Sequence, residues 1–450
     1  VDDAILAWLD CLAGIVFDLE LKMRPIVVIA VGCGSLMVGC AGLGQNLSTG
    51  NVTVAQRPVT QDARRDQPTF KLVYAFPNRK AGYLPYGSLL ALRGSLYGTT
   101  SDGGSECGSN GCGTVFSLTL KPSVKETVLH SFANGPDGWT PYSGVTALGN
   151  SIYGTTVRGG IYNGVVYSVY LKSGHETVLH QFQRTRDGRG PVGGLAAIGN
   201  MLYGTTSSGY DGRGAVFSIT PSGQETVVYR FKVRPDGQMP KTDLLTVGNV
   251  LYGTTESGGV SPSKERCHEI PGCGTVFAIT PGPSGAQETV LYRFRGGPND
   301  GAVPMGGLIY VNGLLYGVTA AGGDDGCDDF DNKGCGTVFS LNPSTGQETI
   351  VYKFKGGNDA VFPVGNLAHF NGTLYGAAYA GGLYSSGAVF SMKLDGSGET
   401  VLHSFSGGAK DGASPEAGVV LSNGMIYGTT GFGGGGDCTD GCGTIYSITP

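Results

Sequence analysis

The side chains of this 450-residue chain that could do chemistry recur in register. Eight cysteines stand in pairs: Cys107 and Cys112, Cys267 and Cys273, Cys327 and Cys335, Cys438 and Cys442. Paired cysteines either bond to each other or share a metal. A zinc ion needs four ligands, so two loops would have to converge, and only the stretches around Cys267 and Cys327, with His268, offer that. Every loop carries two cysteines or none, which predicts four local disulfides and an oxidising compartment. Aspartates recur in D-G-x-x-P elements at Asp137, Asp187, Asp236, Asp300 and Asp411. Asp359 is followed by Ala360, and Ala81 stands in the first copy. These aspartates read as turn residues, with Asp accepting backbone amides, Gly supplying positive φ and Pro fixing the next step. The competing reading is a ring of carboxylates (Asp137, Asp187, Asp300, Asp411) around a channel, able to cut a polysaccharide.

Other catalytic and cofactor signals are sparse. The chain lacks HExxH, G-x-S-x-G and a P-loop. His130, His180 and His403 occupy one repeat position together with Tyr74, Tyr229, Tyr292 and Tyr352, which assigns them to the scaffold. His175, His268 and His369 are isolated. In the acidic stretch 322–336, Asp329, Asp331 and Gly334 match positions one, three and six of a calcium loop. Lys333 and Ser340 break the pattern at positions five and twelve. Calcium at Asp329 and Asp331 is therefore the one cofactor reading, against a solvated acidic loop tied by Cys327–Cys335; no other cofactor is expected.

The elements that position these residues come from one repeated unit. LYGTT-type motifs start at Leu96, Ile152, Leu202, Leu251, Leu315, Leu374 and Ile426, and their tyrosines lie 56, 50, 49, 64, 59 and 52 residues apart. Each is followed by a GTVFS-type motif at Gly113, Gly164, Gly214, Gly274, Gly336, Gly387 and Gly443. ETVLHSF-type motifs follow at Glu126, Glu176, Glu225, Glu288, Glu348 and Glu399. The motifs are β-branched and aromatic, separated by Gly, Asn and Pro, and read as strands. A fourth strand, such as SGVTAL, follows each D-G-x-x-P element. Four antiparallel strands repeated every fifty residues or so predict an all-β, seven-bladed β-propeller. The seventh ETVLHSF-type strand is missing at the C-terminus but present at the front as KLVYAF, 71–76. The N-terminal strand thus completes the last blade and closes the ring, which a β-solenoid would not require. The 80 glycines follow no Gly-X-Y period, which excludes collagen.

With strands lettered a to d from the axis outward, all cysteine pairs fall in b–c loops. Loops with pairs have 12, 18, 16 and 12 residues, and those without have 7, 7 and 8. The b–c and d–a loops share one end, while the other end has tight Gly/Asn turns. The loop-rich end also carries Trp139, Tyr162, Tyr210, Phe330, Phe362, Tyr384 and Phe432, candidates for stacking on a sugar or filling a partner's pocket.

Ahead of the propeller, residues 1–22 read as a leader from a misplaced start, and 23–40 as a signal peptide with an apolar stretch of about a dozen residues, too short to span a bilayer. It ends Met37-Val38-Gly39-Cys40, which resembles a bacterial lipobox and makes Cys40 a lipid anchor. Residues 41–69 read as a flexible tether and 70–450 as the propeller. The formal net charge of −5 excludes a basic nucleic-acid-binding face.

The combined unit LYGTT…GTVFSL…ETVLHSF over residues 70–450 resembles the GloVer tandem-repeat family of bacterial surface proteins. The resemblance implies an exported, surface-attached protein and brings no catalytic residues with it; Val318, Ala377 and Ala378 depart from the motif conservatively. The leading functional expectation is a monomeric, non-enzymatic binding or adhesion module for an extracellular glycan or surface protein, touching membrane only through its anchor. A polysaccharide lyase or hydrolase is the alternative.

Overall fold

The computed structural model describes residues 68–450 apart from 109–110, 162, 210, 261–266, 268–271, 283–284, 324–326 and 328–333. The leader, the signal segment with Cys40, and the tether up to residue 67 lie outside the described residues. So do Tyr162, Tyr210, Asp329, Phe330 and Asp331.

The chain folds as seven four-stranded antiparallel sheets, without a helix among the described residues. Blade 1 consists of Leu90–Leu92, Ser95–Thr100, Thr114–Thr119 and Lys125–Ser131, in that spatial order, strands a to d. Blades 2 to 6 repeat this order over 146–181, 196–230, 245–293, 309–353 and 360–404. Blade 7 takes strands a to c from Val420–Ser422, Met425–Thr430 and Thr444–Thr449. Its strand d is Thr69–Ala75, the first described strand, paired from Thr69↔Thr449 to Ala75↔Thr444. The ring is closed as the motif count requires, and closure leaves no blade with an unpaired partner across the seam.

The blades are joined by aromatic pairs. The Phe ending each ETVLHSF-type strand meets, edge to face, the aromatic residue of strand c in the next blade. These pairs are Phe76–Phe116, Phe132–Tyr167, Phe182–Phe217, Phe231–Phe277, Phe294–Phe339, Phe354–Phe390 and Phe405–Tyr446, with centroids 5.0–5.3 Å apart. All are buried. The tip of the strand-c ring points at the Gly of the LYGTT motif. A Cβ on Gly253 would sit 2.5 Å from Phe277 Cζ, and one on Gly317 2.7 Å from Phe339 Cζ. That contact explains why the motif keeps Gly inside a strand, where it is otherwise unfavourable.

A β-bulge in strand d brings these Phe residues into place. The register shifts between Val115 and Phe116 in blade 1, and at the matching position in blades 2 to 6 and in the closing pair. The extra residue turns the end of strand d toward the next blade. The two threonines of LYGTT finish the inner wall. Thr99 Oγ1 donates to the Ser143 carbonyl of the next blade at 2.7 Å, and Thr100 Oγ1 lies 2.8 Å from Thr114 Oγ1. Where blade 6 has Ala377 and Ala378, its a and b strands lengthen instead, to Ala360–Phe370 and Thr373–Gly381.

All four expected disulfides are present, with Cα separations of 5.6, 4.8, 5.2 and 5.2 Å.

Two of the seven strand-c aromatics are tyrosines, and the hydroxyls of Tyr167 and Tyr446 are buried without a hydrogen-bond partner. Tyr167→Phe is therefore expected to stabilise the propeller by about 1 kcal/mol, by removing an unsatisfied donor. Phe277→Ala is expected to destabilise it by about 3–5 kcal/mol. Denaturant unfolding of the two variants checks both signs, and a destabilising Tyr167→Phe would contradict this account of the seam.

Candidate functional site

The carboxylates considered for hydrolysis are engaged in their own turns. Asp187 accepts the Gln183 N–H at 2.6 Å and faces His180 Nε2 at 2.9 Å. Asp236 accepts the N–H groups of Lys232 and Gly237, both at 2.7 Å, and the Tyr229 hydroxyl at 2.8 Å. Asp300, Asp359 and Asp411 repeat the pattern with Tyr292, Tyr352 and His403, while Asp137 accepts the Ala133 N–H at 3.0 Å. The partner His or Tyr always belongs to strand d, the outermost strand. These aspartates therefore stand at the outer rim as turn residues, in line with the leading reading, and Asp137, Asp187, Asp300 and Asp411 do not ring the channel as the competing reading required. The first copy departs coherently. Its terminal Phe76 is followed by Pro77, which has no N–H to satisfy, and its Asp is Ala81.

A third group completes each rim seam, the Glu that begins strand d of the next blade. Tyr229 Oη is 3.4 Å from Glu288 Oε2, and Tyr352 Oη is 3.1 Å from Glu399 Oε2. One phenol proton cannot serve two carboxylates. Desolvation accordingly pushes Glu126, Glu288 and Glu348 up to about 7. At the closing seam the Glu is replaced by Phe70, whose ring stacks on His403 at 3.6 Å.

The candidate aromatics separate in exposure. Tyr384 is 56% exposed next to Leu383 at 61%. Trp139 is half-buried beneath the Arg158 guanidinium, 5.2 Å from the ring, and Phe432 is half-buried against Tyr83. Phe362 is 8% exposed, folded into the turn before Pro363, so the expectation that it contacts a ligand is corrected.

That turn leads to a site the motifs did not reveal. In every blade the residue before the Pro that precedes strand a has a left-handed backbone: Leu84, Thr140, Gly190, Met239, Val303, Phe362 and Ser414, with φ between 51° and 60°. Six of the seven are not glycine, a conformation such residues adopt only when their surroundings enforce it. The enforcement is visible. The N–H groups of Thr140, Val303 and Phe362 donate to the carbonyls of Cys112, Cys273 and Cys335, and the Thr140 and Val303 carbonyls accept the N–H groups of Val157 and Ala320. Three bridged cysteines of one blade thus anchor the kink of the next.

Six of the seven kinks turn the residue after the Pro toward the axis, Val364 of blade 6 being the exception. Tyr86, Tyr142, Val192, Lys241, Met305 and Glu416 converge there on a cavity of about 80 Å³ at the loop-rich end. The Tyr142 hydroxyl donates to Glu416 Oε2 at 2.7 Å, and the Tyr86 ring lies 5.3 Å from that of Tyr142. Desolvation pushes the Glu416 carboxyl up to about 7, and burial together with the Glu416 charge raises Tyr379 to about 12. Lys241 Nζ pairs with the buried Glu256 carboxylate at 2.7 Å. Two positions further along strand a's approach, Asp243 accepts the Gly194 N–H at 2.6 Å and the Asn366 amide at 3.0 Å, bridging blades 4 and 6 past Gly307. The signal for this site was available. After the repeated Pro the seven copies read Tyr, Tyr, Val, Lys, Met, Val, Glu, a varied position inside a repeating unit.

The rim glutamates give stability a defined pH dependence. Their native pKa lies above the model-peptide value of 4.5, so the native state holds more protons between about 4.5 and 7. Their contribution is complete below that window and is lost as pH rises through it. Asp411 is subject to desolvation, but the bonds from His403, Ser406 and Gly412 hold it below the usual range, so it acts only at lower pH. The melting temperature is expected to fall from pH 4.5 to 7.5, and less steeply in a Glu288→Gln/Glu348→Gln double variant. A rise across this window would contradict the seam assignment.

The fold is similar to several solved structures at low identity. The extracellular domain of the putative one component system BT4673 from B. thetaiotaomicron is 11% identical, with a TM-score of 0.50, covering 84% of this chain and 39% of that one. TolB from Acinetobacter baumannii is 12% identical with a TM-score of 0.36, covering 63% and 58%. A putative 6-phosphogluconolactonase from Bacteroides uniformis is 15% identical with a TM-score of 0.43, covering 71% and 84%. The chain thus spans little more than half of TolB and under half of the extracellular domain, and the likeness extends to the fold alone. A search of curated proteins finds no match. The Gloeobacter/Verrucomicrobia repeat model, in contrast, matches residues 62–265 and 327–450. A propeller built from these repeats over both regions belongs to the Gloeobacter/Verrucomicrobia repeat family.

Proposed function

We propose that this chain is an exported, surface-anchored binding module that holds an extracellular glycan at the channel mouth without turning it over. The observation that carries the reading is the convergence of blade-specific side chains at the axis of an otherwise repetitive scaffold. Tyr86, Tyr142, Lys241 and Glu416 are not dictated by blade packing, whereas the motif residues around them are. Their chemistry suits a polyhydroxylated ligand. Phenol rings offer faces and hydroxyls, the Glu416 carboxyl is neutral below about pH 7 and able to donate, and the Asp243–Asn366 pair adds oriented polar atoms. Tyr384 and the half-buried Trp139 would extend contacts across the same end. Four disulfides suit the oxidising exterior, and Cys40 with the 41–69 tether would supply the attachment. The binding reading is favoured over hydrolysis because the rim carboxylates that would have performed it are held in turns.

The test is calorimetric titration of the full chain with a panel of polysaccharide fragments, with product formation followed in the same samples. One glycan class is expected to bind, with Tyr142→Phe and Glu416→Ala each weakening binding about tenfold or more, on the scale of 1.4 kcal/mol per lost hydrogen bond. Affinity is expected to fall between pH 6 and 8 as Glu416 ionises, and Glu416→Gln should retain binding while abolishing that slope. Binding unaffected by both Tyr142 and Glu416 substitutions would overturn the site, and cleaved product would overturn the non-enzymatic reading.

A further inference from the structure

The rim seams are variants of one arrangement, and one of them draws a histidine and two carboxylates together closely enough for a metal site. Four seams place a phenol against the carboxylates, where it can only donate. The seam between blades 2 and 3 places an imidazole there instead. His180 Nε2, a carboxylate oxygen of Asp187 and one of Glu225 all lie within 4.8 Å of one another. The imidazole nitrogen and Asp187 Oδ2 are 2.9 Å apart, at hydrogen-bond distance, and a side-chain shift of a few tenths of an ångström would bring them to the roughly 3.3 Å that separates two ligands of a tetrahedral zinc. We propose that His180, Asp187 and Glu225 bind a divalent transition cation of the zinc type, which clamps blade 2 to blade 3.

Several features favour an ion over a plain ion pair. Asp187 is buried, with its side chain 2% exposed, and its Oδ1 is fixed by the Gln183 N–H, the kind of outer support that orients a ligating carboxylate. Glu225 Oε1 is buried without a hydrogen-bond partner. A proton on His180 would balance one of the two carboxylates, whereas a divalent ion balances both. Arg186 and Arg230 lie near enough to act on Glu225, but the Arg230 guanidinium donates to the Arg186 carbonyl. One imidazole and two carboxylates, with no thiolate, match a three-ligand zinc set that leaves a position for water.

The other histidine seams supply contrasts within the same molecule. His130 Nε2 stands 3.5 Å from Asp137, and that seam is more open, with the Asp137 side chain 19% exposed. At His403 the third ligand is absent, because Phe70 occupies the Glu position and stacks on the imidazole. The blade 1–2 seam carries the same residue types, His130, Asp137 and Glu176, so the closer approach and deeper burial of His180, Asp187 and Glu225, and not composition, distinguish the blade 2–3 seam.

The test uses the full chain freed of metal with EDTA and titrated with Co²⁺ as a spectroscopic substitute for zinc. His180→Tyr installs the residue that four other seams carry, so the variant has a ready-made fold, and circular dichroism without metal checks it. The wild-type chain is expected to show a visible d–d band that Zn²⁺ displaces, together with a rise in melting temperature on adding Zn²⁺. His180→Tyr and Glu225→Gln are expected to lose that band and weaken Zn²⁺ binding on the order of 100-fold or more, while His130→Tyr keeps both. Equal Co²⁺ and Zn²⁺ responses in wild-type and His180→Tyr would overturn the proposal. So would the absence of any band in the wild-type chain.

Discussion

The structure depends on one contact made seven times, the edge of a Phe on strand d against the strand-c ring of the next blade, over a glycine. Each partner supplies what the other needs. The LYGTT glycine leaves the space for the ring, the bulge turns strand d so that its last Phe reaches across, and the ring fills the gap between twisted sheets. Edge-to-face pairs gain about 0.5–1.5 kcal/mol each beyond the area they bury. Seven in a closed circle also fix the angle between blades, and so the width of the axis. The closing pair, Phe76 with Phe116, couples the first described strand to blade 1 across the seam. The N-terminal strand is therefore part of the interlock as well as the fourth strand of blade 7.

Outside that circle, the rim handles polar groups; inside it, the channel mouth can vary. At the rim the D-G-x-x-P aspartate satisfies the N–H that follows the Phe, and the strand-d His or Tyr shares it. The coupled change to Pro77 and Ala81 follows from the same hydrogen-bond accounting, since a missing donor makes the acceptor unnecessary. At the mouth, left-handed residues held between two carbonyl–amide bonds aim one side chain from each of six blades at the axis. Disulfides anchor three of those kinks through the carbonyls of Cys112, Cys273 and Cys335. The long loops are thus tied to the positioning of the candidate site.

Much of this was legible in the residues. The motif count gave seven blades and the displaced strand KLVYAF gave the closure, because a strand's period and its partner's absence are both visible in one dimension. The cysteine pairs were legible because they co-occur within single loops. The channel mouth was marked only as a varied position after the repeated Pro, and what gathers there could not be read, since Lys241 and Glu416 line one cavity only once the ring closes. The aromatic candidates differ in exposure for a related reason. Phe362 shares its turn position with Thr140 and Val303, and only the φ of that turn shows that the ring is folded inward. The turn role of Asp187 and its counterparts was legible in D-G-x-x-P itself, while their place at the rim was not, since the motif looks alike whether it faces the axis or the rim.

The central claim is that function resides where the blades differ, at the axis, and not at the repeated rim. Hydrogen exchange followed by mass spectrometry, with and without a saturating glycan from the panel, tests it most directly. Protection is predicted in the segments 84–90, 140–146, 240–245 and 414–420, which carry the left-handed kinks and the channel residues. Protection confined to the c–d turns or the strand-d rim, with those segments unchanged, would contradict it.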